Sequence, residues 1–138
     1  MYLNRGYELE DKIGIELTRL HGVIKVYTER DLTRLYGWPA SSVDFLVETP
    51  EDMVYIQVKY LSTRRKESVN INKFLSSIEY IRTQLHDYQR HKDTKGLWVS
   101  KLHPFDDNET LLRSCGVNVV SCFDSMDTLV SKTLQCLV

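Results

Sequence analysis

The stretch Val43-Asp-Phe-Leu-Val-Glu-Thr-Pro-Glu-Asp-Met-Val-Tyr-Ile-Gln-Val-Lys59 decides the fold. It reads as two β-strands, 43–47 and 53–60, joined by the polar break Glu48-Thr-Pro-Glu-Asp52. Strands joined by so short a connection must pair as an antiparallel hairpin. Side chains alternate along a strand, so Met53, Tyr55, Gln57 and Lys59 share one face and Val54, Ile56, Val58 and Tyr60 the other. The second set is the better core face. An amide and an ammonium at the end of a buried strand, with the Asp44 carboxylate on the neighbouring strand, form a polar grouping that calls for a reason.

Outward from the hairpin, the chain alternates helix and strand. On the N-terminal side, Leu9, Ile13, Leu17 and Leu20 recur at helical spacing, which predicts a helix over 7–20 with Asn4 as N-cap and Gly22 as its stop. A weak strand at 23–27, a short helix at 29–36 ending at Gly37, and a loop at 38–42 follow. On the C-terminal side comes the polar run 60–68. Ile71, Leu75, Ile78, Ile81, Leu85 and Tyr88 then mark an amphipathic helix over 70–89. A charged break precedes a buried strand at 96–100, a helix at 106–115 closed by Gly116, a strand at 117–122 and a helix at 125–136 capped by Ser125. Met126, Leu129, Val130, Thr133 and Leu134 give that last helix its core face. Strands alternating with helices imply parallel pairing in the second half. The expected fold is α/β: a mixed sheet of about five strands with helices on both faces, built as one domain over 1–138.

The chain of 138 residues is 42% apolar and 27% charged, within the ordinary globular range. No apolar run approaches bilayer length, and Met1-Tyr-Leu-Asn-Arg-Gly6 lacks the apolar core of a secretion signal, so no membrane role is expected. Cys115, Cys122 and Cys136 are odd in number and form no C-x-x-C pair, which points to free thiols in a reducing, intracellular compartment. Both cysteines 115 and 122 read as buried small hydrophobes. Net charge is −1. That argues against a general DNA coat and leaves room for local basic patches, of which Arg64-Arg65-Lys66 is the sharpest.

Asp44 offers a hard anionic oxygen and Gln57 a neutral one. Together they suit Mg²⁺ (or Mn²⁺) that keeps several waters near a phosphate. Glu10 borders the apolar face of the first helix and can add a third ligand if that helix packs on the end of the hairpin. Lys59 is a compact cation able to orient an attacking water and to offset charge on a phosphoryl oxygen. No other small-molecule cofactor is implied.

With these residues in place, Asp44 followed by Gln57-Val-Lys59 resembles the core motif of the PD-(D/E)XK nuclease superfamily in its Gln-x-Lys form, as in Mrr-like restriction endonucleases. Gly6-Tyr-Glu-Leu-Glu10 and its helix are similar to the first helix of those enzymes and of archaeal Holliday-junction resolvases. The match sets the helix-borne acid at Glu10. Most of the chain follows the pattern, by order of elements rather than identity. The resemblance implies an α-β-β-β-α-β core, Mg²⁺-dependent hydrolysis of DNA phosphodiester bonds leaving a 5′-phosphate, structure-specific cutting of junctions, flaps or branches, and a homodimer. Two departures stand out: Val43 replaces the usual Pro, and Gln57 replaces the usual acid. The second motivates an alternative, a nuclease-fold module that binds nucleic acid or scaffolds a complex without cutting; an RNA-directed nuclease is a third.

Plainer roles stand beside these. Gln57 and Lys59 can be the solvent face of an edge strand, and Lys59 a guard against sheet pairing. Asp44 can be a turn residue, and Glu10 a solvated partner of the helix dipole. Arg64, Arg65 and Lys66 read as a phosphate clamp when placed beside such a site, with Lys73 extending it. Tyr36, Trp38, Tyr60 and Trp98 read as core or half-buried, with base stacking the less expected role for Trp38. His103 reads as a loop histidine. A Ser or Cys triad lacks both a nucleophile elbow and a visible paired histidine.

Overall fold

The computed structural model describes residues 5–60 and 64–138. The elements are α1 (Arg5–Arg19), β1 (Lys25–Thr28), α2 (Glu29–Tyr36), a 3-10 turn at Trp38–Ala40, β2 (Phe45–Glu48), β3 (Asp52–Lys59), α3 (Glu67–Gln84), α4 (Asp87–Arg90), β4 (Asp93–Ser100), α5 (Asp106–Ser114), β5 (Val117–Ser121) and α6 (Met126–Gln135). The expected cap Asn4 and part of the polar run after β3 lie outside the described residues.

The five strands form one sheet in sequential order. β1, β2 and β3 pair antiparallel. β3, β4 and β5 pair parallel, each step crossing over through a helix, α3 and then α5. The fold is α/β with a mixed five-stranded sheet, as the alternation of elements required.

β3 lies in the middle of the sheet, and both of its faces are covered. Val54, Ile56 and Val58 pack with Leu9, Ile13 and Leu17 of α1 and with Met126, Leu129 and Val130 of α6. Met53 and Tyr55 pack on the opposite side with Ile71, Phe74, Ile78 and Ile81 of α3 and with Trp98. The sequence reading named one core face and left Gln57 on the other. That other face is a second core, and Gln57 is buried within it. A centrally placed, partly parallel strand loses its solvent face because crossover helices roof both sides.

Two boundaries differ from expectation. α3 begins at Glu67 and stops at Gln84, where Leu85 turns to an extended backbone. His86 then caps the separate α4 through a capping box with Gln89. Tyr88, expected on the apolar face of one long helix, is therefore exposed. Cys115 at the end of α5 is exposed and Cys122 only half-buried, against the expectation that both are buried. Among the described residues no helix is long and apolar enough to cross a membrane.

Candidate active site

Asp44 sits one residue before β2 and extends the hairpin ladder with its side chain. Its backbone N–H donates to the Ile56 carbonyl at 2.9 Å. Its Oδ2 accepts from the Val58 N–H at 2.7 Å. The carboxylate thus stands in for a backbone carbonyl and is fixed in position while 7% exposed.

α1 brings Glu10 to this point. Leu9, Ile13 and Leu17 bury the helix against the sheet. Gly14, one turn beyond Glu10, faces the Phe45 ring, where an added Cβ would lie 3.3 Å from two ring carbons. The absence of a side chain there lets the helix approach the strand that follows Asp44. β1 brings a third acid. In the antiparallel register Thr28 faces Phe45, so the next residue, Glu29, falls beside Asp44. Thr28 also caps α2 through a capping box with Asp31, which places Glu29 in the first turn. Carboxylate oxygens of Glu10, Glu29 and Asp44 all lie within 4.8 Å of one another.

Three acids this close carry more negative charge than the site balances. Burial, then the Glu10 charge, push the Asp44 carboxyl up to about 7; the Val58 N–H opposes this, Glu29 adds to it, and Lys59 counters it. Burial followed by Glu29 and Asp11 raises Glu10 as well, with Lys59 opposing. Hard oxygen donors, crowded and underneutralised, are the donor set that suits Mg²⁺ or Mn²⁺.

Gln57 is held differently from its expected role. Oriented by its hydrogen-bonding partners, its amide nitrogen donates to the Ser42 carbonyl and its oxygen accepts from Lys59 Nζ at 3.2 Å. In this arrangement the amide positions Lys59, and the third acid of the cluster is Glu29. Lys59 in turn lines a narrow slot with Arg64, Arg65, Asn70 and Ser100. Arg64 lies over the Phe105 ring, 4.4 Å from its centroid. Lys66 turns the chain into α3 with a left-handed backbone, φ 60°. Lys73 lies apart from that slot, in a cleft with Trp38 and Ser42.

Trp38 was expected in or near the core and is 80% exposed. The 3-10 turn that carries it buries Ala40 beneath and leaves the indole outside. It lines the cleft that contains Glu10 and Glu29. Trp98 is buried and Tyr36 and Tyr60 half-buried, as expected.

His103 is a loop histidine, as read, and it has two side-chain partners. Its Nδ1 lies 3.0 Å from Ser121 Oγ and its Nε2 lies 2.8 Å from Glu109 Oε1. Arg113 grips Glu109 from the other side with two hydrogen bonds. The bonds from His103 and Arg113 hold the Glu109 carboxyl below its ordinary range. Ser121 ends β5 rather than standing on a strand-to-helix elbow, so this row joins β5, α5 and the segment after β4 without the exposed nucleophile of a hydrolase triad.

Glu29 is the member that sequence reasoning missed. An acid in the first turn of a helix is ordinarily read as pairing with the dipole. The pairing of β1 with β2 is the signal that assigns it to the site. Compared with family models, curated proteins and solved structures, the chain matches none.

Proposed function

We propose that this chain is a metal-dependent phosphodiesterase that cuts DNA. One observation carries the reading: Glu10, Glu29 and Asp44 converge within 4.8 Å beside Lys59, with Asp44 buried and raised to about 7. A carboxylate perturbed by burial and by specific charged neighbours beside a cleft is a candidate functional group. Mg²⁺ or Mn²⁺, when bound, supplies a Lewis acid that activates water and neutralises charge on the phosphate. Glu10, Glu29 and Asp44 would hold it; Gln57 joins them only by turning its oxygen away from Lys59.

The chain's own groups do the rest. Lys59, steadied by Gln57, stands close enough to Asp44 and Glu10 to favour their ionised forms, and from there it can orient an attacking water and offset charge on a phosphoryl oxygen. Arg64, Arg65 and Lys66 offer contacts to the strand leaving the site, and Lys73 to the strand on the Trp38 side; such contacts fix register without reading sequence. A homodimer would present two such sites to two strands. The unpaired state of the three thiols suits a reducing compartment.

A second reading is favoured by Gln57. The amide stands where the resemblance expects an acid and is engaged with Ser42 and Lys59. On that reading the chain binds nucleic acid or scaffolds a complex without cutting. The two separate on incubation with branched, flapped, single-stranded and duplex DNA in Mg²⁺ or Mn²⁺. The expected result is cleavage by the wild type that falls at least about a hundredfold in Asp44→Asn and in Lys59→Ala. Cutting that survives both substitutions would sink the assigned site. Binding without cutting in either metal would favour the scaffold.

A further inference from the structure

Among the described residues Trp38 joins neither core cluster. The turn it sits on is nonetheless firmly built. Ser77 Oγ of α3 donates to the Pro39 carbonyl at 2.7 Å. Tyr80, one turn further along α3, donates to the Tyr36 carbonyl at 2.8 Å. Ser41 N–H closes the turn on the Trp38 carbonyl at 2.9 Å. Gly37, at φ 89°, makes the left-handed bend that separates this turn from α2. A rigid base therefore holds out a bare indole.

The position of that indole gives the exposure a meaning. On one side it lines a cleft of about 580 Å³ with Glu10, Glu29, Arg30 and Arg34. On the other it lines a cleft with Ser42, Asn72 and Lys73. It is a ridge between the acid cluster and a lysine, with two arginines alongside. An aromatic face flanked by cations is the arrangement that binds a nucleic-acid strand, because every base offers a π-face and every nucleotide a phosphate. A continuous duplex hides those base faces in its own stack. A base that meets Trp38 must be unpaired.

We propose that Trp38 is a stacking platform for an unpaired nucleobase whose strand runs past the Glu10–Glu29–Asp44 cluster, so that the chain binds DNA through a single-stranded segment rather than through uninterrupted duplex. This rests on the nuclease reading for the choice of ligand. It does not rest on cleavage. The indole contributes the stack, Lys73, Arg30 and Arg34 contribute phosphate contacts, and the anchored turn keeps the ordering cost on binding low.

Tryptophan emission tests it directly. The chain has two tryptophans, and Trp98 is only 2% exposed, so ligand-induced quenching reports Trp38. Titrate the full chain in EDTA with an oligothymidylate, with a blunt duplex of equal length, and with that duplex carrying a single-stranded flap. The oligothymidylate and the flap should quench the emission, and the blunt duplex should not. Trp38→Ala should weaken binding of the first two by roughly 5- to 100-fold and leave duplex binding unchanged, while Trp38→Phe keeps most of the affinity. The proposal is overturned by equal quenching from the duplex, by Trp38→Ala binding the oligothymidylate as well as wild type does, or by no binding of any of the three. Quenching without cleavage in any metal would fail the nuclease reading and keep the platform. Cleavage without quenching would do the reverse.

Discussion

Asp44, just before β2, and Glu48, the last residue of β2, are both buried carboxylates, 7% and 4% exposed. Their environments are opposite. Burial raises Glu48, but bonds from Lys92 and Gln89 outweigh it and hold its carboxyl low. Lys92 Nζ reaches Glu48 Oε2 at 2.8 Å, and Gln89 Nε2 reaches Oε1 at 2.9 Å. Both oxygens are satisfied and the charge is balanced. Asp44 has one backbone donor and faces two further acids. The same burial that leaves a paired carboxylate ionised makes a crowded one hold its proton. What distinguishes the two is the partner set.

The contrast breaks first on stability. Glu48→Gln should cost about 3 kcal/mol or more, because it strands the largely buried Lys92 without its counter-charge. Asp44→Asn should instead raise the stability of the metal-free protein at pH 8, by up to about 4 kcal/mol on the shift from 3.8 to about 7. Urea denaturation of both variants checks the signs. A loss of stability in Asp44→Asn would mean the acid cluster is not strained.

The pH dependence sharpens the same difference. Glu48, with its lowered carboxyl, gives stability that is present above its unfolded value of 4.5 and is lost as pH falls through the folded one. Asp44, with its raised carboxyl, favours the fold most fully below 3.8. That contribution falls away as pH rises and is gone above about 7. Metal-free protein should therefore lose Tm between about pH 4 and pH 7, and the fall should flatten in Asp44→Asn. Mg²⁺ should restore Tm at pH 8 and do little at pH 5, where a protonated Asp44 competes with the cation. Differential scanning calorimetry with and without Mg²⁺ at the two pH values reads both effects.

The smallest effect belongs to Glu29, the exposed member of the cluster. Glu29→Gln removes one of the charges that raise Asp44 and Glu10. The fall in Tm with pH should end at a lower pH, and Mg²⁺ affinity by calorimetric titration should weaken roughly tenfold. Unchanged affinity would remove Glu29 from the site.

What the sequence disclosed and what it hid follow from distance along the chain. α2 was legible to the residue because its signals are local: a run of helix formers closed by Gly37. The hairpin was legible because only three residues separate β2 from β3. The pairing of β1 with β2 spans the whole of α2 and the turn after it, so the neighbourhood of Glu29 and Asp44 was not. Trp38 was misjudged for a related reason: an aromatic residue near a strand is ordinarily core, and only the anchoring of its turn on α3 turns it outward. The second core face over Gln57 was hidden because alternation cannot tell a solvated face from one roofed by a helix.

The bond from the Val58 N–H to Asp44 Oδ2 makes one atom serve the fold and, on the proposed function, the chemistry as well. In evolutionary terms, position 44 answers to two separate filters. An asparagine can still accept from Val58 and pass the folding filter, yet it lacks the charge a cation needs. A lineage that gave up cutting could therefore drift from Asp to Asn at this position with its hairpin intact. One that kept cutting could not. On the proposed function, the residue found here in relatives would tell cutting lineages from non-cutting ones independently of what has become of Gln57.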